Sequence, residues 1–231
     1  MRTALFSIMI VIAMSSIAMG VPDLQLFIAG ANYDLTTSTW VTTSSSFDLY
    51  VVSANKPHDD VIVSMALGMP DNPDDVDVNF DGTVISNTDW TYGYAPIDNV
   101  PDQWNGGNDD LPRHGIFPTN FVEMNTGDYE TDDLVGNVRP NLYGNYWNPA
   151  TGEGNANRWG DVKSFHVEVG GVFSYIHFDA YTLNSDGTIR EFAPFSHDAE
   201  VTTVPEPGSV YLLGSGLIGL GAFAFKRRKK Q

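Results

Sequence analysis

Lys163-Ser164-Phe165-His166-Val167-Glu168-Val169 is the stretch from which the fold is read. Phe165, Val167 and Val169 fall on one face, His166 and Glu168 on the other. A period of two belongs to a strand with one buried face, because successive side chains of extended backbone point to opposite sides. Gly170-Gly171 follows, and then a second run, residues 172–181, so the pair is expected to form a β-hairpin. Working outward, residues 24–28, 47–52 and 61–67 are short apolar runs suited to buried strands. Asp81-Gly82 is a turn into residues 83–86, and Asn184-Ser185-Asp186-Gly187 is a turn into residues 188–192. No amphipathic helix and no tandem repeat lies between the two termini. Residues 98–113 and 137–160, rich in Gly, Asn, Asp and Pro, read as long ordered loops at one end of the body. Many short strands with a few long loops predict an all-β chain. The expected form is a single β-sandwich, jelly-roll or immunoglobulin-like, flanked by an N-terminal signal helix and a C-terminal transmembrane helix.

The termini carry the addressing. Arg2 precedes an uncharged apolar run, residues 4–14, and Ala18-Met19-Gly20 supplies the small residues a signal peptidase accepts. Residues 1–20 therefore read as a signal peptide, and residues 21–203 as the extracytoplasmic domain. Val204-Pro205-Glu206-Pro207 cannot continue a helix or a central strand. Residues 208–225 are an uncharged, glycine-containing apolar run near the short limit for a transmembrane helix. Lys226, Arg227, Arg228, Lys229 and Lys230 follow as a basic stop-transfer block that holds this end in the cytoplasm. Pro-Glu-Pro, a short glycine-rich span and a basic end together resemble the PEP-CTERM sorting tail. That resemblance implies recognition by an exosortase, removal or exchange of the tail, and delivery to the cell surface or exopolysaccharide matrix of a Gram-negative bacterium. An inner-membrane-anchored intermediate would precede delivery.

Composition narrows the partners. All 29 acidic residues lie between Asp23 and Glu206, where the basic residues are Lys56, Arg113, Arg139, Arg158, Lys163 and Arg190. The body is thus more acidic than the whole-chain charge of -17 indicates. A field of that sign repels nucleic-acid phosphates, and nucleic acid is excluded as a partner. Neutral glycans and divalent cations remain compatible with it. The chain has no cysteine, so thiol chemistry and disulfides are excluded even though export would permit the latter.

Two late segments resemble the choice-of-anchor N surface proteins: Tyr175-Ile176-His177-Phe178-Asp179-Ala180-Tyr181 and Phe192-Ala193-Pro194-Phe195-Ser196-His197-Asp198-Ala199. The signature residues are His177, Asp179, Pro194, Ser196, His197 and Asp198. The resemblance implies surface display of a β-rich domain and carries no catalytic residues.

Candidate chemistry is sparse. Asp77, Asn79, Asp81 and Gly82 match the first half of a calcium loop, with Asp89 as a late fourth oxygen ligand, but the twelfth position is Thr88 and no helix follows. Ca2+ is the one cofactor that pattern suggests; a solvated Asp-Gly turn is the plainer reading. Trp104, Trp147 and Trp159 stand in the loops, where they would stack on sugar rings or plug the loops from inside. His166 with Glu168, and His177 with Asp179, share strand faces and would converge across the expected hairpin. Ser196-His197-Asp198 is no triad by adjacency, since neighbouring side chains diverge. The chain therefore reads as a non-enzymatic surface or matrix protein. A calcium-assisted carbohydrate-binding module is the alternative, and a polysaccharide hydrolase a more distant one, because so many acids make any carboxylate pair weak as a signal.

Overall fold

The computed structural model describes residues 20–97, 110–111 and 115–203. Fourteen strands run through them: β1 Leu24–Ile28, β2 Asn32–Asp34, β3 Thr39–Thr42, β4 Ser46–Ala54, β5 His58–Leu67, β6 Val76–Phe80, β7 Thr83–Ile85, β8 Thr91–Gly93, β9 Thr119–Tyr129, β10 Asp133–Gly136, β11 Ala156–Gly171, β12 Tyr175–Leu183, β13 Ile189–Phe192 and β14 Ala199–Thr202. The smaller sheet has the order β1-β4-β11-β6-β7, with β10 also on β11. The larger has the order β2-β3-β14-β12-β5-β9-β8, with β13 also on β12. All pairings are antiparallel except β14 with β3.

One apolar core joins the sheets. Leu49, Val51, Val78, Phe80, Val167 and Val169 from the smaller sheet enter it with Val63, Met65, Ile176, Phe178 and Ala180 from the larger. Phe47 meets Phe178 edge-on across the layers, with ring centroids 6.0 Å apart. The alternation in β11 works as its side chains dictate: Val167 and Val169 are buried, while His166 and Glu168 are exposed. The Asp81-Gly82 turn joins β6 to β7 with both residues at positive φ, 49° and 85°, as a tight hairpin requires.

A second, smaller apolar cluster lies on the outer face of the larger sheet. Ala66, Phe121, Tyr181 and Ile189 pack there under Ala95 and Leu111, with Ile116 and Phe117 at the side. Glu123 fastens this cover, accepting hydrogen bonds from Ile97 N and from the Tyr181 hydroxyl. The described residues between β8 and β9 therefore help to cover this sheet face.

The expected frame needs correction on three points. The sheets are open and unequal, one contains a parallel pair, and one outer face is covered, so a plain two-layer sandwich with loops at its ends does not describe the body. The C-terminal transmembrane helix is not supported, and the N-terminal signal helix lies outside the described residues. Among the described residues no helix is long and apolar enough to cross a membrane, and the helices found are three single turns, at Pro73–Asp75, Asn87–Asp89 and Phe195–His197. The expected transmembrane helix at 208–225, with the membrane attachment that depended on it, is therefore withdrawn; that stretch and the signal segment 1–19 lie outside the described residues. Finally, β11 and β12 form no hairpin but belong to different sheets. Gly171 holds φ at +87° where a Cβ would collide with the Asp75 carbonyl, and Val172 N donates to that same carbonyl at 2.7 Å. The glycine pair thus turns the chain from one layer into the other.

Candidate functional site

Because β12 faces inward through Ile176, Phe178 and Ala180, its alternate residues His177, Asp179 and Tyr181 stand on the outer face of the larger sheet. Register then decides their neighbours. His177 lies opposite Ala66 of β5 and Glu200 of β14, and Asp179 lies opposite Ser64. Asp198 comes from just before β14. Pro194 leads into the turn Phe195–His197, where His197 N donates to Pro194 O at 2.7 Å, and this places consecutive residues on opposite sides. His197 enters the interior between the layers, while Asp198 joins the outer face.

The result is a buried polar cluster. His177 Nε2 stands 3.6 Å from Asp179 Oδ1 and 3.7 Å from Asp198 Oδ2, and Nδ1 stands 3.5 Å from Glu200 Oε2. His177, Asp179 and Asp198 are each at most 3% exposed. Burial opposes a charge on His177, but Asp179, Asp198 and Glu200 together outweigh it and hold the imidazole well above its ordinary range. As an imidazolium, His177 ties β12 to β14 electrostatically.

His197 has the opposite character. Its Nε2 lies 2.9 Å from Asn137 Oδ1 and its Nδ1 2.9 Å from the Ser196 hydroxyl. With Asn137 presenting its carbonyl oxygen, Nε2 carries the proton and Nδ1 accepts from Ser196. Burial, with Arg139 adding to it, pushes the pKa down to about 3, so the ring is neutral under ordinary conditions. It fixes the segment after β10, as does Gln25, which donates to Gly136 O and accepts from Val138 N, both at 3.0 Å. Ser196-His197-Asp198 forms no triad: the aspartate faces His177, away from His197.

The other sequence candidates fall elsewhere. His166 and Glu168 lie on the outer face of the smaller sheet, with His166 Nδ1 2.9 Å from Asp48 Oδ1, so they do not meet His177 and Asp179. Asp77 and Asn79 face outward from β6, and Asn79 Nδ2 donates to Glu168 Oε2 at 3.4 Å. Asp81 sits in the turn, and Asp89 accepts from Ser86 N and Ser86 Oγ, both at 2.7 Å. Among the described residues, the ligand atoms of Asp77, Asp81 and Asp89 form no common group. Trp147 is buried against Gly136, while Trp159 is 61% exposed on β11. Trp104, the sorting residues Val204, Pro205, Glu206 and Pro207, and the basic block Lys226 to Lys230 lie outside the described residues.

The sequence showed His177 and Asp179 on one face, but not the partnership with Asp198 and Glu200. That depends on β14 pairing with β12, a register no local pattern specifies.

Compared with known families, residues 203–230 match the PEP-CTERM protein-sorting motif. That motif implies exosortase-dependent surface sorting. No curated protein matches the chain.

Proposed function

We propose that this chain is an exported surface protein whose β-body serves a structural or interaction role outside the cell. The observation that supports this most directly is the placement of the sorting motif. It begins at residue 203, immediately after β14 ends at Thr202, so the whole folded body precedes it as cargo. In this reading signal peptidase removes residues 1–20 on export, and an exosortase-type enzyme then acts on the tail. The body belongs with the choice-of-anchor N surface proteins, and its strongly acidic surface keeps it soluble and apart from other anionic material at the cell boundary. Exopolysaccharide is the partner this setting offers.

The test is surface accessibility in the native host. Protease added to intact cells should digest the wild-type body and spare a cytoplasmic control. A chain in which Pro205, Glu206 and Pro207 are all replaced by alanine should be exported but lost from the protease-accessible surface pool. Equal accessibility of that variant would overturn the sorting reading.

A further inference from the structure

We infer that the groove beside the exit of β14 is a docking surface for the sorting enzyme, which therefore reads the end of the folded body together with the Pro-Glu-Pro motif. The inference rests on the sorting reading above and adds to it a surface on the body. Three observations carry it.

The first is continuity. The matched sorting segment begins at Thr203, and Thr203 also lines the groove. This residue is fastened to the body: its N–H donates to Ser174 O at 3.3 Å and its hydroxyl to Phe173 O at 2.7 Å. Val204 alone separates it from Pro205. Two steps of fully extended chain reach about 7 Å, less than the thickness of one helix with its side chains, about 10–12 Å. An enzyme that grips Pro205, Glu206 and Pro207 is thus brought against this end of the body.

The second is chemistry. The groove, of about 310 Å3, is lined by residues 43–45 ahead of β4, by Val169, Gly170, Gly171 and Phe173 where the chain crosses between layers, and by the end of β14. None of these side chains is charged, although acidic residues far outnumber basic ones in the body. Val169, Phe173 and Val201 are buried beneath it, and Thr43, Ser44 and Ser45 are exposed. Val172, next in the chain to two lining residues, is 77% exposed. Apolar surface free of charge and bordered by hydroxyls is what the centre of a protein–protein contact requires.

The third is rigidity. Ser44 N donates to Thr42 Oγ1 at 3.1 Å, Ser44 Oγ to Ser46 O at 2.6 Å, and Val169 N to Ser45 O at 2.8 Å. Asp71 accepts from Ser174 N and Ser174 Oγ, both at 2.6 Å, and so fixes the chain beside Phe173. The walls are set before a partner arrives, which keeps the ordering cost of docking low.

The test follows tail removal from the full chain by pulse–chase in the native host. Thr43→Glu and Thr43→Arg each place a long charged side chain in the groove from an exposed position. Both should slow tail removal about five- to tenfold, as loss of an ordinary interface contact does, while the melting temperature of the purified body stays at the wild-type value. Ser185→Glu, in the turn beyond the other end of β12, should process like wild type. A six-residue Gly-Ser linker inserted between Thr203 and Val204 leaves body and motif intact but parts them, and should slow removal as well. Wild-type rates in both Thr43 variants, or in the linker variant, would overturn the docking surface. Slowing by Glu with acceleration by Arg would overturn it too, since that pattern belongs to an anionic lipid surface. The chain with Pro205, Glu206 and Pro207 replaced by alanine separates the two readings. If it alone loses processing, the motif is read without the body and only the docking surface falls; if it is processed at the wild-type rate, the sorting reading falls with it.

Discussion

His197 makes the protein acid-labile in a calculable way. Its pKa is about 3 when folded, against about 6.5 for an unfolded histidine. The folded value is the lower, so the unfolded chain takes up the proton first and stability falls as pH drops. The contribution is complete above about pH 7.5, begins to be lost through 6.5, and continues to be lost towards pH 3. Linkage gives a loss of about 2 kcal/mol between pH 7.5 and 5.0, a figure that barely changes if the folded value is nearer 4. The perturbation is His197→Gln, which keeps an N–H within reach of Asn137 and removes the titration. Urea unfolding is followed by fluorescence of the buried Trp40 and Trp147 at steps from pH 7.5 to 5.0. The stability advantage of wild type over variant should shrink by about 2 kcal/mol across that range. His166 and His177, whose pKa values move upward, contribute in the opposite sense but equally to both proteins, and so cancel. A gap that stays constant with pH would refute the assignment of His197 as a buried neutral ring.

Three further substitutions probe the layers. Gly160→Ala puts a Cβ into the Ser53 carbonyl where β11 crosses β4, and should cost about 1–3 kcal/mol in urea unfolding. Gln25→Leu leaves Gly136 O and Val138 N without the side chain that bridges them, and should cost about 2–4 kcal/mol by the same assay. Phe178→Ala opens a cavity between the sheets opposite Phe47 and should cost about 3–5 kcal/mol, read as a lowered denaturation midpoint.

What the sequence discloses here follows from how local each signal is. The alternation of residues 163–169 and the Asp81-Gly82 turn are local, and both appear in the structure as β11 and the β6–β7 hairpin. β9 was not legible: Asn120, Glu123 and Asn125 break up its apolar residues, Asn120 on the face opposite the other two, and Glu123 is engaged only by groups distant in sequence, Ile97 N and the Tyr181 hydroxyl. Gly170-Gly171 has the composition of a hairpin turn, yet contact with Asp75 in a distant segment makes it a crossing between layers. The same non-locality hid the buried cluster. His177 and Asp179 share a strand, but Asp198 and Glu200 reach them only through the β12–β14 register.

Surface delivery by the sorting tail is tested most directly by mapping the C-terminus of the protein recovered from the cell surface. Material released from washed cells is digested and its terminal peptide identified by mass spectrometry, beside whole-cell extract from the same culture. Surface material should hold the body through β14 and lack the basic end at residues 226–230, with its terminus inside the matched segment 203–230. An intact tail on surface protein, or a chain recovered only from the cytoplasm, would contradict delivery by this motif.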